Sequence, residues 1–419
     1  MKAQRDYFNL MSVAKVYLFV QLFITPLLMS AFAHSALART IESELYFPLA
    51  TTFTSESVAL SALAYVCFLC GGQVRLPRLT SGIPEIDWRL PNVTRLFWAI
   101  FLAGFAFKLL RLISGGDIQV SSARIGIFGD AATYFLSLNW FHMVAFPFLA
   151  IAYYENRSSV TRVARYYPWV LLAYLVNGAI NGATSFVIFP LVMHLAVCQR
   201  YRPMGGLRII GLGLVLVLLV YLKMYIKVLI IDDPNNQISF FAPLTFLINR
   251  ISVSFVVAAI TSDPNYSYGG GIIEQFLYEL KVPGFDYAIP DGNALGRFYS
   301  IISQDDLATG VAISLVGDLI LHWGVIGASA GMFFIGVLYR QVASLTESKR
   351  RLPWIAYAAL WPIMLHGLES PVSVLIAAII KMTALCVAYY HFGRLFLFPA
   401  SQGGAGGRVA AWLRGTRIK

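Results

Sequence analysis

Ten stretches of this chain are apolar for about the length of a bilayer crossing, at about residues 12 to 33, 56 to 72, 95 to 114, 131 to 154, 167 to 182, 184 to 199, 208 to 231, 311 to 339, 353 to 369 and 371 to 397. Crossing a hydrocarbon core takes about 20 predominantly apolar residues. A segment in lipid must satisfy its backbone polar groups internally, so each stretch is restricted to helix. The expected fold is an all-α polytopic membrane protein with about ten transmembrane helices, forming one integral membrane domain over residues 1–419. Composition removes the soluble alternatives. Hydrophobic residues make up 58% of the chain and charged ones 13%, with a mean hydropathy of +0.68, whereas soluble domains carry about 25% charged residues.

The formal net charge of +11 would suggest nucleic acid in a soluble chain, but here the positive-inside rule accounts for most of it. With a cytoplasmic N-terminus, 22 of the 32 Lys and Arg residues fall in inside segments. Arg39, Arg124, Arg250, Lys281 and Arg297 fall outside, and Lys108, Arg111, Lys223, Lys227 and Lys381 fall within spans. Both termini are expected in the cytoplasm, residues 398–419 forming a basic tail, and a nucleic-acid partner is not expected.

The stretch 244–262 is apolar enough to cross, yet a crossing there would place Lys349, Arg350 and Arg351 outside. It is expected instead as an interfacial or re-entrant helix within a long extracytoplasmic segment, 232–310. Ala36, Leu37 and Ala38 resemble a signal-peptidase site. The preceding run from Val16 to Ala33 exceeds a usual signal h-region, so the first segment is expected to remain as a span.

Cys67, Cys70, Cys198 and Cys386 all lie in predicted spans, where none can staple an outside loop. The C-x-x-C of Cys67 and Cys70 has no His or acidic neighbour and reads as a pair of small core residues. The chain carries no Walker A, G-x-G-x-x-G, H-E-x-x-H or nucleophile-elbow motif.

Acids and aromatics interleave through 232–310, from Asp232 and Asp233 through Tyr299 to Asp305 and Asp306. A sugar ring has an apolar face and a polar edge, so this mixture suits a glycan; an interfacial aromatic belt with solvated acids would look similar. Neither adjacent acid pair has D-x-D spacing, and no metal or other cofactor is assigned. Charges within spans are costly and tend to mark functional paths unless they snorkel. Lys108 with Arg111 and Lys223 with Lys227 each share a helix face. Together with Arg124, Arg250, Arg297 and Lys381 they could form a cationic patch at the outer interface, suited to a lipid diphosphate.

The stretch 309–340 places Asp318 and His322 four residues apart, then Gly324, then Gly327 and Gly331 in G-x-x-x-G spacing that admits a neighbouring helix. The acid and histidine could serve as a base and its orienting partner, or as a buried polar pair that ties helices together. His34, His142 and His194 are isolated and read as structural; His366 and Glu369 close the ninth span.

From about 245 to 340 the chain resembles Wzy-type O-antigen or oligosaccharide repeat-unit polymerases. The resemblance rests on an apolar segment with an arginine, the Gly269, Gly270, Gly271 start, an aromatic and proline-rich stretch, and a block in which Ser314, Gly317, Asp318, Trp323, Gly324 and Gly327 match the family's pattern. Many members carry Glu where this chain has Asp318, and an arginine where it has Thr184.

The resemblance implies a GT-C-like glycosyltransferase architecture in the bacterial inner membrane, with undecaprenyl-diphosphate-linked glycans, the lipid bilayer and a chain-length regulator as partners. A glycan on undecaprenyl diphosphate would be the donor, and a hydroxyl of a new lipid-linked repeat unit would attack its anomeric carbon. Asp318, His322 and Arg297 are the expected catalytic residues. Arg250, Arg124, Lys223, Lys227 and Tyr299 are expected to bind diphosphate or sugar. An O-antigen ligase would use the same donor, and a flippase or transporter would also want charges within spans.

Overall fold

The computed structural model describes residues 8–27, 55–77, 166–173, 184–202 and 314–396, most of 144–155, and scattered positions between 205 and 218 and between 273 and 280. Every regular element among them is helical: α1 (Leu10–Phe19), which continues as a π-helical stretch (Val20–Ile24), α2 (Ser55–Gly71), α3 (Thr184–Tyr201), α4 (Leu315–Ser344), a 3-10 turn (Leu345–Glu347), α5 (Arg351–Gly367) and α6 (Val372–Phe396). Three helices are long and apolar enough to cross a membrane, Leu10–Leu27, His322–Glu347 and Val372–His391, and Ser55–Gly71 is a shorter apolar helix. Large apolar side chains stand exposed along them, including Val16, Ile326, Phe334 and Val387. A water-soluble bundle would bury such residues, so the chain is an α-helical, membrane-associated protein. The interfacial helix expected at 244–262 and the tail 398–419 lie outside the described residues.

The chain divides into two compact units. One comprises Met1–Arg78, Met204–Ser344 and Ile363–Ile379. In it, α1 begins with Asn9, whose side chain accepts from the Met11 N–H at 2.9 Å, an ordinary N-cap. Its buried stripe runs through Ala14, Leu18, Gln21, Leu22 and Thr25. Phe19 and Phe23 lie on another face and pack on Tyr65 of α2, with ring centroids 6.1 and 5.8 Å away. Further along α2, Phe68 meets Tyr339 edge-on at 5.5 Å, and the Tyr339 hydroxyl donates to the Met364 carbonyl.

The segment expected as one span over 311–339 is broken. Gly324 sits at φ 63, a left-handed value that ends the short arm 315–323 and starts the long arm 325–344 of α4. A side chain added at Gly331 would meet Leu319 first. An unbroken helix would hold those residues about 18 Å apart, so the short arm folds back along the long one.

The other unit comprises Leu79–Pro203, Leu345–Pro362 and Ile380–Lys419. Its core packs the Phe148 and Tyr389 rings at a tilt, with centroids 4.6 Å apart, and surrounds His194 with the Tyr167 hydroxyl at 2.6 Å and the Tyr154 hydroxyl at 3.4 Å. Beyond the predicted span, the Arg351 guanidinium lies 2.7 Å from the Glu155 carboxylate, which also accepts from the Tyr201 hydroxyl at 3.2 Å. Burial first, and the Glu155 charge second, raise the Tyr201 pKa. The phenol therefore stays a donor.

Candidate functional site

Two helix starts in the first unit complete each other. The first N–H groups of any helix lack intrahelical acceptors. Here the N–H of Leu315, opening α4, donates to the Leu368 carbonyl at 3.2 Å, and the N–H of Val372, opening α6, donates to Asp318 Oδ2 at 2.9 Å. The turn 368–371 is thereby fixed against the short arm of α4.

Local sequence makes this arm possible. Ser314 caps it, its hydroxyl accepting from the Gly317 N–H at 3.2 Å, and Asp318 lies in its first turn. The carboxylate thus faces the positive ends of two helices, its own and α6. Asp318 is 0% exposed, and its Oδ1 has no hydrogen-bond partner among the described residues. His322 Nδ1 lies 3.4 Å from that oxygen but 2.9 Å from the Asp318 backbone carbonyl. A carbonyl only accepts, so Nδ1 carries the ring proton and donates to it. The backbone, rather than the carboxylate, orients the imidazole.

A second polar group borders the same turn. Glu369 accepts a hydrogen bond from the Tyr17 hydroxyl of α1 and lies 3.9 Å from His366 Nδ1. The Ser370 hydroxyl donates to the His366 carbonyl at 3.1 Å. Glu369 is partly accessible and His366 about half exposed, in contrast to buried Asp318. An acid with one oxygen anchored and the other turned into a protein interior can accept a proton or hold a hydroxyl.

Of the residues expected from sequence, Asp318 and His322 stand side by side, and His366 with Glu369 sits at the adjoining turn. Arg124, Lys223, Lys227, Arg250, Arg297 and Tyr299 lie outside the described residues, as do Asp232, Asp233, Asp305 and Asp306. Among the described residues no group of three or more His, Cys, Asp or Glu side chains is placed to hold a metal ion. All four cysteines are free thiols.

Sequence reasoning passed over Tyr17, Gln21 and Ser373. The available signal was Gln21, a carboxamide inside the apolar run from Val16 to Leu27 and on the helical repeat of Ala14 and Leu18. No protein-family model, no curated protein and no solved structure is significantly similar to the chain.

Proposed function

We propose that the chain is a polysaccharide polymerase of the bacterial inner membrane, joining undecaprenyl-diphosphate-linked repeat units on the periplasmic face. In this reading it has about ten spans, both termini in the cytoplasm and a GT-C-like architecture. The observation that carries the reading is Asp318: a buried carboxylate beside His322, with one oxygen anchored by α6 and the other unpaired among the described residues. An acceptor hydroxyl at Oδ1 would pass its proton to the carboxylate as its oxygen bonds the anomeric carbon. The bond from that carbon to the lipid diphosphate breaks, and the diphosphate leaves with the electron pair. Arg250 and Arg297, with Arg124, Lys223 and Lys227, are proposed to bind it, because guanidinium contacts strengthen as charge develops. Tyr299 offers a face for a sugar ring. No metal takes part in this scheme. A chain-length regulator is the proposed protein partner.

One observation favours a second reading, a lipid-linked oligosaccharide flippase: transporters bind substrate at broken helices, and α4 is broken at Gly324. The glycan profile of a deletion strain separates the two. Single repeat units on the lipid A core are expected for a lost polymerase. Repeat units accumulating on the cytoplasmic face indicate a flippase, and long unligated lipid-linked chains indicate a ligase.

A further inference from the structure

In the second unit, a turn rich in cations is pinned to the end of a helix that carries cations of its own. Arg200, in the last turn of α3, donates from Nη1 to the Arg350 carbonyl at 3.1 Å and from Nη2 to the Lys349 carbonyl at 3.0 Å. Its guanidinium carbon lies 5.9 Å from the centre of the Trp354 ring. Trp354 in turn donates from Nε1 to the Ser348 carbonyl at 2.9 Å, and the Arg350 N–H donates to the Ser348 hydroxyl at 3.2 Å. The turn before α5 is thus held by side chains of both α3 and α5.

This pinning brings two basic segments distant in sequence, Arg200 with Arg202 and Lys349 to Arg351, to one end of the unit. Like charges repel, so such a gathering persists only where other contacts hold it or an anion offsets it. Glu155 offsets Arg351 at 2.7 Å. Arg202 and Lys349 are exposed. The segment leads into α5 at Arg351, so the positive end of that helix dipole adds to the same field.

Aromatic rings mark the depth of this end. Tyr201 stacks on Tyr154 at 5.2 Å, and the adjacent Tyr153 stacks on Tyr167 at 4.8 Å. In the helical stretch 166–173 that holds Tyr167, the side chains of Tyr166 and Trp169 are exposed. Exposed Tyr and Trp on apolar helices that end in Arg and Lys are the composition of a membrane–water interface, the level of lipid headgroups.

We propose that this end of the unit binds the phosphate headgroup of an anionic phospholipid. A guanidinium matches two phosphate oxygens with its planar fork, and an exposed lysine adds a point charge. A lipid with a net negative headgroup gains from the whole field, whereas a zwitterionic one brings an ammonium that the same field repels. The inference does not depend on the polymerase reading.

The test uses the purified full chain in a neutral detergent, with phosphatidylglycerol or phosphatidylcholine added to the micelles and bound lipid measured by native mass spectrometry. Arg202→Gln combined with Lys349→Gln removes two exposed cations and leaves the Arg200 fork on its backbone carbonyls. Arg75→Gln combined with Arg208→Gln removes the same charge from exposed positions of the other unit. Wild type is expected to prefer phosphatidylglycerol roughly tenfold, the first variant to bind it roughly tenfold more weakly at an unchanged melting temperature, and the second to behave as wild type. Raising salt to about 0.5 M is expected to erase the wild-type preference, a comparison that needs no variant. Equal binding of the two lipids by the wild type overturns the site, as does a preference that survives the salt. Equal losses in both variants would mean that net charge alone attracts the lipid, and undiminished binding by the first would exclude these residues. Inorganic phosphate raising the wild-type melting temperature as much as phosphatidylglycerol does would replace the lipid with a soluble anion.

Discussion

A fully buried carboxylate that caps a helix from another segment holds structure whatever else it does, so the role of Asp318 has to be separated by substitutions of graded chemistry. Asp318→Leu strands the Val372 N–H, at a cost of about 1–3 kcal/mol. That variant is expected to accumulate poorly. Asp318→Asn retains an oxygen for the N–H and the size of the side chain, yet it cannot take up a proton. It is expected to reach near-normal levels in membranes while long-chain glycan falls by about 10²-fold, within the usual range for a general base. Normal chains from Asp318→Asn would make the residue a helix cap alone and shift the search to Glu369, which Tyr17 and His366 flank. The Asp318 and His322 pair was legible from its four-residue spacing. That the ring donates to the backbone carbonyl was not, because spacing fixes a shared face and not which oxygen lies nearer.

At the scale of the element, α4 shows how a pattern can be right in spacing and silent about partner. Gly327 and Gly331 suggested close approach of a neighbouring helix. The first atoms that side chains there would meet belong to Trp323 and Leu319 of the short arm, because the reversal at Gly324 brings that arm alongside. Backbone contact between helices occurs elsewhere: an added Cβ at Gly71 would run into the Phe333 carbonyl, and one at Gly336 into the Phe68 carbonyl. A carbonyl in a packed helix cannot step aside, whereas the end of the Leu319 side chain can rotate. Gly71→Ala and Gly336→Ala are accordingly expected to cost about 1–3 kcal/mol each, read as lower melting temperatures in detergent. Gly331→Ala should cost under about 1 kcal/mol. Equal losses at all three positions would remove this account of how α2 and α4 pack. The helices themselves were readable as apolar runs, since lipid leaves the backbone few alternatives. The break was not, since glycine is also common in unbroken transmembrane helices.

For the whole molecule, charge asymmetry sets orientation, and the helices of the structure must be compatible with it. Keeping 22 of 32 basic residues inside requires reporter fusions after residues 85, 160, 204 and 346 to read cytoplasmic, and fusions near 120 and 290 to read extracytoplasmic. The reversal at Gly324 leaves this expectation intact. In the expected orientation a short arm that folds back would add no crossing, and the long arm alone would carry the chain from the outer side to Lys349, Arg350 and Arg351. Beyond that cluster, the same expectation has α5 crossing outward and α6 returning, with Glu369 in the sequence between them and Arg394 near the end of α6. The fusion near 290 is the decisive one, because the long segment 232–310 and the proposed chemistry share its side. A cytoplasmic signal there would invert every later segment, place Lys349, Arg350 and Arg351 outside against the charge rule, and put the turn beside Asp318 on the side opposite to the one proposed for polymerisation.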